Sequence, residues 1–286
     1  MANKLNDDWP GRVAVLGVGL LGGSVALSIR RNRPGTTFVG LARSEAKMKR
    51  LTALQVMDRV VRSVPEACRG CDVVVVASPV DCIADLVVEA SLASPEDCLI
   101  TDVGSTKAGI VATLADHPVA AKKFVAAHPI AGSEKSGPEA AKSDLFDGKV
   151  IVVTPGPMTT PELVEKAEIF WQLTGGRTLK MDPVEHDTHL AAISHVPHLV
   201  SALVAGMVDP QSRSLVGSGW TDMTRVAAGD PTMWTAICRE NRRAIKQQLD
   251  RFATDLEQLR RIVESGDDAA LKAWLTEAQK VKQQTP

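Results

Sequence analysis

The 286-residue chain contains no tyrosine, and aromatic residues make up only 3% of it. Its charges nearly cancel, with 33 Lys and Arg against 34 Asp and Glu, so no excess positive charge attracts nucleic acid. No uninterrupted apolar run approaches the roughly 18 residues needed to span a bilayer, and the N-terminus lacks a basic segment followed by an apolar one. These absences predict a cytoplasmic protein that binds neither nucleic acid nor membranes.

The cysteines are few and of odd number. The five of them lie in apolar surroundings, which is typical of a reducing compartment. Cys68 and Cys71 form a C-x-x-C pair, which in redox proteins lies at an exposed helix N-terminus. Because Cys71 leads directly into the apolar run at residues 72–79, we expect structural cysteines.

The first half of the sequence alternates short apolar runs with segments of helical periodicity, the pattern of a parallel sheet covered by helices. The predicted strands cover residues 12–17, 36–42, 72–79, 98–104, 123–129, 149–155 and 175–182. After Pro183 the sequence changes to long stretches with helical spacing. Within residues 234–264, apolar side chains recur at about i, i+3, i+4 and i+7, so one helix face packs against a second subunit or the same chain.

A glycine-rich segment separates the first predicted strand from a helix predicted from Leu20 to about Arg31. In this G-x-G-x-x-G pattern the first glycine makes a tight turn, the second admits a pyrophosphate and the third lets the helix approach the strand. Backbone N–H groups at the helix start can bind the phosphates. The predicted dinucleotide-binding residues here are Gly17, Val18, Gly19, Leu20, Leu21 and Gly22.

The predicted fold class is therefore α/β. It comprises an N-terminal Rossmann-type dinucleotide-binding domain at residues 1–182 and a C-terminal all-helical domain at residues 183–286.

The end of the second predicted strand distinguishes NAD from NADP, because an Asp or Glu there binds the ribose 2′-hydroxyl of NAD. Here the strand is followed by Arg43 and Ser44, with no carboxylate before Glu45. A guanidinium and a hydroxyl suit a 2′-phosphate, so NADP is favoured over NAD as the cofactor. The alternative is that Arg43 is a solvated loop residue.

Polar clusters follow three successive strands, and open α/β sheets bind their ligands at such strand ends. These clusters contain Ser78 and Pro79, then Ser105, then His128, so we expect one shared crevice with Ser78 and Pro79 beside the cofactor. His128 is the candidate general base, because a neutral imidazole can accept a hydroxyl proton as hydride leaves the same carbon.

Each of these residues also has a structural interpretation. His128 would then be a core histidine bonded to a backbone carbonyl. Ser105 would cap a helix that begins near Thr106, and Lys107 would be solvated.

Four histidines occur in the segment EHDTHLAAISHVPH: His186, His189, His195 and His198. At about 100° per residue, the first and second pairs face opposite sides of a straight helix. A zinc site would need a large kink at Pro197, so we predict no metal. We expect one face of residues 194–198 to look across the crevice towards the nicotinamide domain.

Taken in order, the motifs resemble those of the prephenate/arogenate dehydrogenase family of tyrosine biosynthesis. The matching segments are GVGLLGGS, SPV, DVGSTK, HPIAGSEKSG, EHDTHLAAISHVPH and GWTDMTRVAAGDPTMW. The resemblance implies oxidative decarboxylation of prephenate to 4-hydroxyphenylpyruvate, in which hydride passes from C4 of the ring to NAD(P) and loss of CO2 makes the ring aromatic. It also implies a homodimer formed through the helical domain.

The same resemblance implies roles for particular side chains. His128 would accept the hydroxyl proton, and Ser105 would hold the hydroxyl or the imidazole. The implied substrate-binding residues are Arg225, which would grip a carboxylate, together with His198, Ser133 and Glu134.

Thr221 departs from the pattern, because relatives often carry there a basic residue that reaches across the dimer. Three alternatives remain open: an arogenate dehydrogenase, a β-hydroxyacid dehydrogenase that would use a lysine of its helical domain as the base, and a catalytically silent nucleotide-sensing dimer.

Overall fold

The computed structural model of the chain describes residues 8–132 and 135–284. Its strands are β1 (Arg12–Leu16), β2 (Thr37–Leu41), β3 (Arg59–Val61), β4 (Val73–Val76), β5 (Leu99–Asp102), β6 (Phe124–Pro129), β7 (Val150–Pro155) and β8 (Arg177–Lys180). They form one sheet in the order β3-β2-β1-β4-β5-β6-β7-β8. The order of the first six strands is that of a Rossmann sheet, whose ligand crevice opens between β1 and β4.

Helices connect and cover these strands. The α-helices are α1 (Leu20–Asn32), α2 (Glu45–Leu54), α3 (Val64–Cys68), α4 (Ile83–Ala93), α5 (Ala108–Leu114), α6 (Pro118–Lys123), α7 (Pro161–Gln172), α8 (Pro183–Leu190), α9 (Val196–Met207), α10 (Ser218–Thr224), α11 (Pro231–Glu240), α12 (Arg242–Ser265) and α13 (Asp268–Gln284). A π-helical segment, Ala191–His195, joins α8 to α9 without a break.

The central strands are buried on both faces, which is why they read as continuous apolar runs in the sequence. In β4, Val73 and Val75 belong to one core cluster, whereas Val74 and Val76 belong to the other. Helices α1 and α7 cover the first face of the sheet, and α3, α4, α5 and α11 cover the second. The sheet therefore has a helical layer on each side, as the sequence pattern predicted.

Two features of the sheet differ from the predicted parallel arrangement. Strand β7 runs antiparallel to β6, and the described part of their connection contains a short 3-10 turn, Pro138–Ala140, rather than the helix that usually joins parallel strands. Strand β3 was not predicted, since three residues carry too little periodicity to be recognised.

The chain divides into two compact units, Met1–Asn241 and Arg242–Pro286. Helices α8 to α11 thus belong to the unit that contains the sheet, and Ala236 and Ile237 of α11 lie in its core. In the other unit, α12 packs against α13. The domain boundary after residue 182 stays a prediction.

The helical stretch Pro183–Met207 is long and apolar enough to cross a membrane by length and composition alone. A single stretch of this kind is weak evidence of membrane insertion. Within its own unit, this stretch is hydrogen-bonded to the start of α5, where the Asp187 carboxylate accepts the N–H groups of Lys107 and Ala108.

The C-x-x-C pair is structural, as expected. Cys68 and Cys71 are buried free thiols, and the Cys71 thiol donates to the carbonyl of Ala67 at 3.2 Å. Burial raises the pKa of both thiols, which leaves little of the reactive thiolate.

Candidate active site

The glycine loop between β1 and α1 has no room for a side chain at Gly17 or Gly22. Gly17 has a φ of +111°, and a Cβ on it would lie 2.4 Å from the carbonyl oxygen of Ala77. A Cβ on Gly22 would lie 2.3 Å from the carbonyl oxygen of Gly17. The Ser78 hydroxyl closes this side of the loop by donating to the Leu16 carbonyl at 3.0 Å.

The other side of the loop is open. Apart from Gly19 itself and its two chain neighbours, no described residue has an atom within 4 Å of a Cβ built on Gly19, the residue that precedes α1. The free N–H groups at the start of α1 therefore border a space that suits a phosphate. Around it, Val18 is buried and Leu20 and Leu21 are half-buried.

The residues that follow β2 are exposed. Arg43 has an exposed side chain, and Ser44 caps α2 by accepting the Lys47 N–H at 3.3 Å. The oxygen of the Ser44 hydroxyl therefore caps the helix, and the hydrogen of the same hydroxyl can donate to another group.

The polar strand ends predicted to share a crevice lie along one edge of the sheet. Strands β1, β4, β5 and β6 are parallel neighbours in that order. Their carboxyl ends are therefore adjacent, and three of them carry the predicted residues Ser78, Ser105 and His128. Pro79 is exposed at the end of β4, and Ser105 and His128 are half-buried.

Asp102, the last residue of β5, connects two of these strand ends. One carboxylate oxygen accepts the Ala127 N–H at 2.9 Å, directly before His128. The other accepts the Gly104 N–H at 2.9 Å and a bond from the Lys107 ammonium. Asp102 and Lys107 are fully buried. The pair therefore sets the loop that carries Ser105 against the strand that carries His128.

The structural interpretation of the DVGSTK segment is wrong. Helix α5 begins at Ala108 rather than near Thr106, and no side chain of its own segment caps it. The carboxylate of Asp187 on α8 caps it instead, accepting the N–H groups of Lys107 at 2.8 Å and Ala108 at 2.9 Å. Lys107 is buried rather than solvated, and burial lowers the pKa of its ammonium despite the Asp102 carboxylate.

His128 points into a cluster of polar side chains. Its Nδ1 lies 2.9 Å from Nε2 of His186 on α8, and the two rings meet edge to face at 71°. Burial lowers the pKa of His128 well below its ordinary value, and the neighbouring His186 and Lys107 lower it further. The imidazole is therefore neutral near neutral pH, as a general base must be.

The histidines of the long helical stretch do not face the sides predicted for a straight α-helix. The π segment Ala191–His195 adds one residue to a turn, which rotates all later positions back by about 100°. His195 and His198 thereby come to the side of His186, and these three are buried while His189 is exposed. The prediction of opposite faces is wrong for this reason.

The two later histidines are held by neighbouring aromatic and amide groups. The His198 ring stacks on Trp234 at 3.5 Å between centroids. The Asn241 amide donates to the Asp187 carbonyl at 2.7 Å and lies 3.1 Å from Nδ1 of His195. Burial lowers the pKa of His195 to about 4 and also lowers the pKa of His198.

The remaining predicted residues are less enclosed. Arg225 is exposed and opens a 3-10 turn, Arg225–Ala228, that packs against α9, the helix of His198. Thr221 is exposed on α10, where its hydroxyl donates to the Gly217 carbonyl at 3.1 Å. Ser133 and Glu134 lie outside the described residues.

Four residues at this site were given no catalytic or binding role from the sequence: Asp102, Lys107, His186 and Asp187. Each is a buried charged or titratable residue within a segment already singled out, and that combination was the available signal. Within residues 8–132 and 135–284, no group of three His, Cys, Asp or Glu side chains is arranged to hold a metal ion.

Comparison with known proteins connects this geometry to a family. Residues 25–180 match the family model described as prephenate dehydrogenase, nucleotide-binding domain, and residues 182–277 match prephenate dehydrogenase, dimerization domain. The chain belongs to the prephenate dehydrogenase family. The predicted family, fold class and enzyme class are thereby confirmed.

Individual relatives of this prephenate dehydrogenase family member agree. The chain is 33% identical over 278 residues to a cyclohexadienyl dehydrogenase of Zymomonas mobilis, with 94% of each chain covered. It is similar to the structure of Aquifex aeolicus prephenate dehydrogenase in complex with hydroxyphenyl propionate and NAD+, with 28% identity, a TM-score of 0.89 and coverage of 99% and 100%. An arogenate dehydrogenase of Synechocystis is 25% identical with a TM-score of 0.81, covering 96% and 100%.

Proposed function

We propose that the protein is a prephenate dehydrogenase that converts prephenate to 4-hydroxyphenylpyruvate and CO2, with NAD(P) as the oxidant, in tyrosine biosynthesis. The observation that carries this proposal is the position of His128 at the carboxyl end of β6, on the same sheet edge as Ser105 and the glycine loop.

The glycine loop fits a dinucleotide, because Gly17 and Gly22 admit no side chain and the space at Gly19 is open. When bound there, a nicotinamide accepts the hydride that leaves C4 of the substrate. The residues proposed to hold it are Gly17, Val18, Gly19, Leu20, Leu21, Gly22, Ser78 and Pro79. The similar Aquifex aeolicus prephenate dehydrogenase was solved in complex with NAD+, which supports a nicotinamide dinucleotide as the ligand.

His128 takes the proton of the C4 hydroxyl as the C4–H bond breaks, and Ser105 orients the hydroxyl or the imidazole. Departure of the ring carboxylate as CO2 leaves its electron pair in the ring, which becomes aromatic. The proton then returns from His128 to the phenol oxygen, so the residue ends the cycle neutral.

Two further residues are proposed to bind the substrate from the helical side. The Arg225 guanidinium can hold a carboxylate through two hydrogen bonds, and its turn packs against the helix of His198. Ser133 and Glu134 are kept as proposed contacts at the far end of the substrate.

The test of the proposal is His128→Asn. General-base catalysis contributes about 10²- to 10⁴-fold, so kcat should fall by that factor while cofactor binding, measured by calorimetry, stays intact. His189→Asn is the matched control, because that histidine is exposed on the same helical stretch as His186. Near-normal turnover of His128→Asn would exclude this residue as the base.

For the cofactor we propose NADP in preference to NAD. The exposed Arg43 after β2 and the absence of a carboxylate before Glu45 support a site for the 2′-phosphate. Arg43→Ala should weaken NADP binding about tenfold or more and leave NAD binding unchanged, with Lys49→Ala on α2 as the control. Equal losses for both cofactors would contradict this role.

Arogenate is the second candidate substrate, since the similar Synechocystis structure is an arogenate dehydrogenase. It differs from prephenate by an amino group in place of the side-chain keto group. Purified protein assayed with both substrates and both cofactors would distinguish them by kcat/KM. If neither substrate gives reduced nicotinamide, the proposed reaction is wrong.

We further propose a cytoplasmic homodimer formed through residues 183–286. The match of residues 182–277 to a dimerization domain supports it. Light scattering of the purified chain should give twice the monomer mass of 30.5 kDa, and a monomeric mass would contradict it.

A further inference from the structure

A continuous line of hydrogen bonds extends from His128 into the helical part of the unit. Nδ1 of His128 lies 2.9 Å from Nε2 of His186, and Nδ1 of His186 lies 2.8 Å from a carboxylate oxygen of Asp187. The Asp187 carboxylate is itself held by the N–H groups of Lys107 and Ala108. We propose that His186 and Asp187 are positioning residues that fix which nitrogen of His128 accepts the substrate proton.

The direction of each bond follows from what its partner can do. An ionised carboxylate only accepts hydrogen bonds, so Nδ1 of His186 carries its proton towards Asp187. A neutral imidazole with a proton on Nδ1 has its lone pair on Nε2. The Nε2 lone pair of His186 must therefore accept from Nδ1–H of His128, and this places the lone pair of His128 on its own Nε2.

The location of these groups keeps the arrangement in place. His186 is 0% exposed and Asp187 is 3% exposed, so water cannot replace either partner. Asp187 is further restrained at its backbone, where the Asn241 amide donates to its carbonyl at 2.7 Å. Of the three side chains in the line, His128 is half-buried while the other two are buried, so it is the one that a ligand can meet.

The local sequence explains how α8 delivers these side chains. Asp182 caps the helix by accepting the N–H groups of Val184 and Glu185 at 2.8 and 3.2 Å, and Pro183 opens the first turn. His186 and Asp187 consequently lie in the first two turns of α8, which contacts α5.

This line also serves the proton transfer. When Nε2 of His128 takes the hydroxyl proton, the ring becomes an imidazolium in a buried setting that also holds Lys107 and His195. The His186 lone pair accepts from the charged ring, and the Asp187 carboxylate polarises His186 in turn. No proton is lost or gained in the line, because the one on Nε2 of His128 later returns to the product.

The first test needs neither substrate nor cofactor. Nitrogen-15 NMR of the imidazoles in the full-length protein reports which ring nitrogen carries the proton, with signals assigned by His128→Gln, His186→Gln and His189→Gln. Both His128 and His186 should show the neutral form protonated on Nδ1. A proton on Nε2 of His128, or on both nitrogens of His186, overturns the proposal.

The second test measures turnover, and this part rests on the proposed function. His186→Gln should lower kcat by about 10²-fold, within the 10²- to 10⁴-fold that a general base contributes, while KM changes less than about twofold. His189→Gln, one helical turn away and exposed, should leave both constants unchanged. A His186→Gln enzyme with the kcat of His189→Gln overturns the positioning role.

The two tests separate the possible failures. If the wild-type protein turns over neither prephenate nor arogenate, the proposed function fails while the NMR result still decides the tautomer. If it turns over substrate but His128 is protonated on Nε2, the positioning role alone fails. Should His186→Gln not fold, the His128 signal of the wild-type protein decides the matter.

Discussion

The buried ion pair of Asp102 and Lys107 predicts a stability loss with a distinctive pH dependence. Both side chains are fully buried, so Asp102→Asn leaves the Lys107 ammonium without a counterion in the interior. The ammonium can escape this penalty by losing its proton. That costs about 1.4 kcal/mol for each pH unit below the ordinary lysine pKa of about 10.4.

The cost of neutralising Lys107 is therefore roughly 4.6 kcal/mol at pH 7 and roughly 1.9 kcal/mol at pH 9. The first value lies within the range of about 3 to 5 kcal/mol typical of a broken buried pair. The bond from the Gly104 N–H, lost to the asparagine amide, adds about 1 kcal/mol at both pH values. Because the pKa of Lys107 is already lowered in the wild type, part of this pH dependence is shared, and the variant should lose more stability at pH 7 than at pH 9 by at most about 2.7 kcal/mol.

Urea denaturation of wild type and variant at the two pH values measures this difference. The double variant Asp102→Asn/Lys107→Met removes the ammonium as well and should recover most of the loss at pH 7. Glu45→Gln, which breaks an exposed pair with Lys49, is the control and should change little. A loss that is equal at both pH values, or a double variant no more stable than the single one, would refute the reasoning.

Three further outcomes are expected. Gly17→Ala should lower the free energy of unfolding by about 1–3 kcal/mol and abolish dinucleotide binding in calorimetry, because the φ of +111° and the Ala77 carbonyl exclude a side chain. The control Gly35→Ala, whose added methyl group lies in open space, should change neither quantity. Burial lowers the pKa of His195 to about 4 in the folded chain, so the neutral ring stabilises the fold fully above pH 6.5, and roughly 3 kcal/mol of stability is lost by pH 4 as the unfolded chain takes up the proton. In urea denaturation, the stability of His195→Gln should therefore fall less between pH 6.5 and pH 4 than that of the wild type. An equal fall in both proteins would contradict the lowered pKa. Arg225→Lys should raise the substrate KM about ten- to a hundredfold by losing the two-bond grip on a carboxylate, and an unchanged KM excludes that contact.

The features that the sequence predicts well are local in the chain. The strands are recognisable because consecutive valines such as Val73 and Val74 fill opposite faces of a sheet that is covered on both sides. The glycine loop is recognisable because Gly17, Gly19 and Gly22 fall within six consecutive residues between a strand and a helix. Short-range patterns of this kind need no knowledge of the tertiary structure.

The contacts around His128 are not local, and for that reason they escaped prediction. Asp187 bonds to the backbone of Lys107, 80 residues earlier in the chain. The side of the helix on which His195 lies depends on one extra residue in a helical turn, and no periodicity in the sequence predicts that residue. In a straight α-helix, by contrast, His186 would face away from His195 and His198, as the sequence predicted.

The missed residues share a physical character that explains why the site is built from them. A buried ion pair is weak evidence for stability, because an apolar pair of similar volume is often at least as stable. The carboxylates of Asp102 and Asp187 instead fix the positions of backbone N–H groups, since both oxygens of each carboxylate accept hydrogen bonds from them. Asp102 ties the segment before His128 to the loop of Ser105, and Asp187 holds the residues that follow this loop. The two carboxylates thus hold the segment that carries Ser105 at both of its ends. Asp102 also restrains the backbone directly before His128, and Asp187, through His186, restrains the His128 ring. We infer that they serve to set the relative position of the two proposed catalytic side chains more than to stabilise the fold.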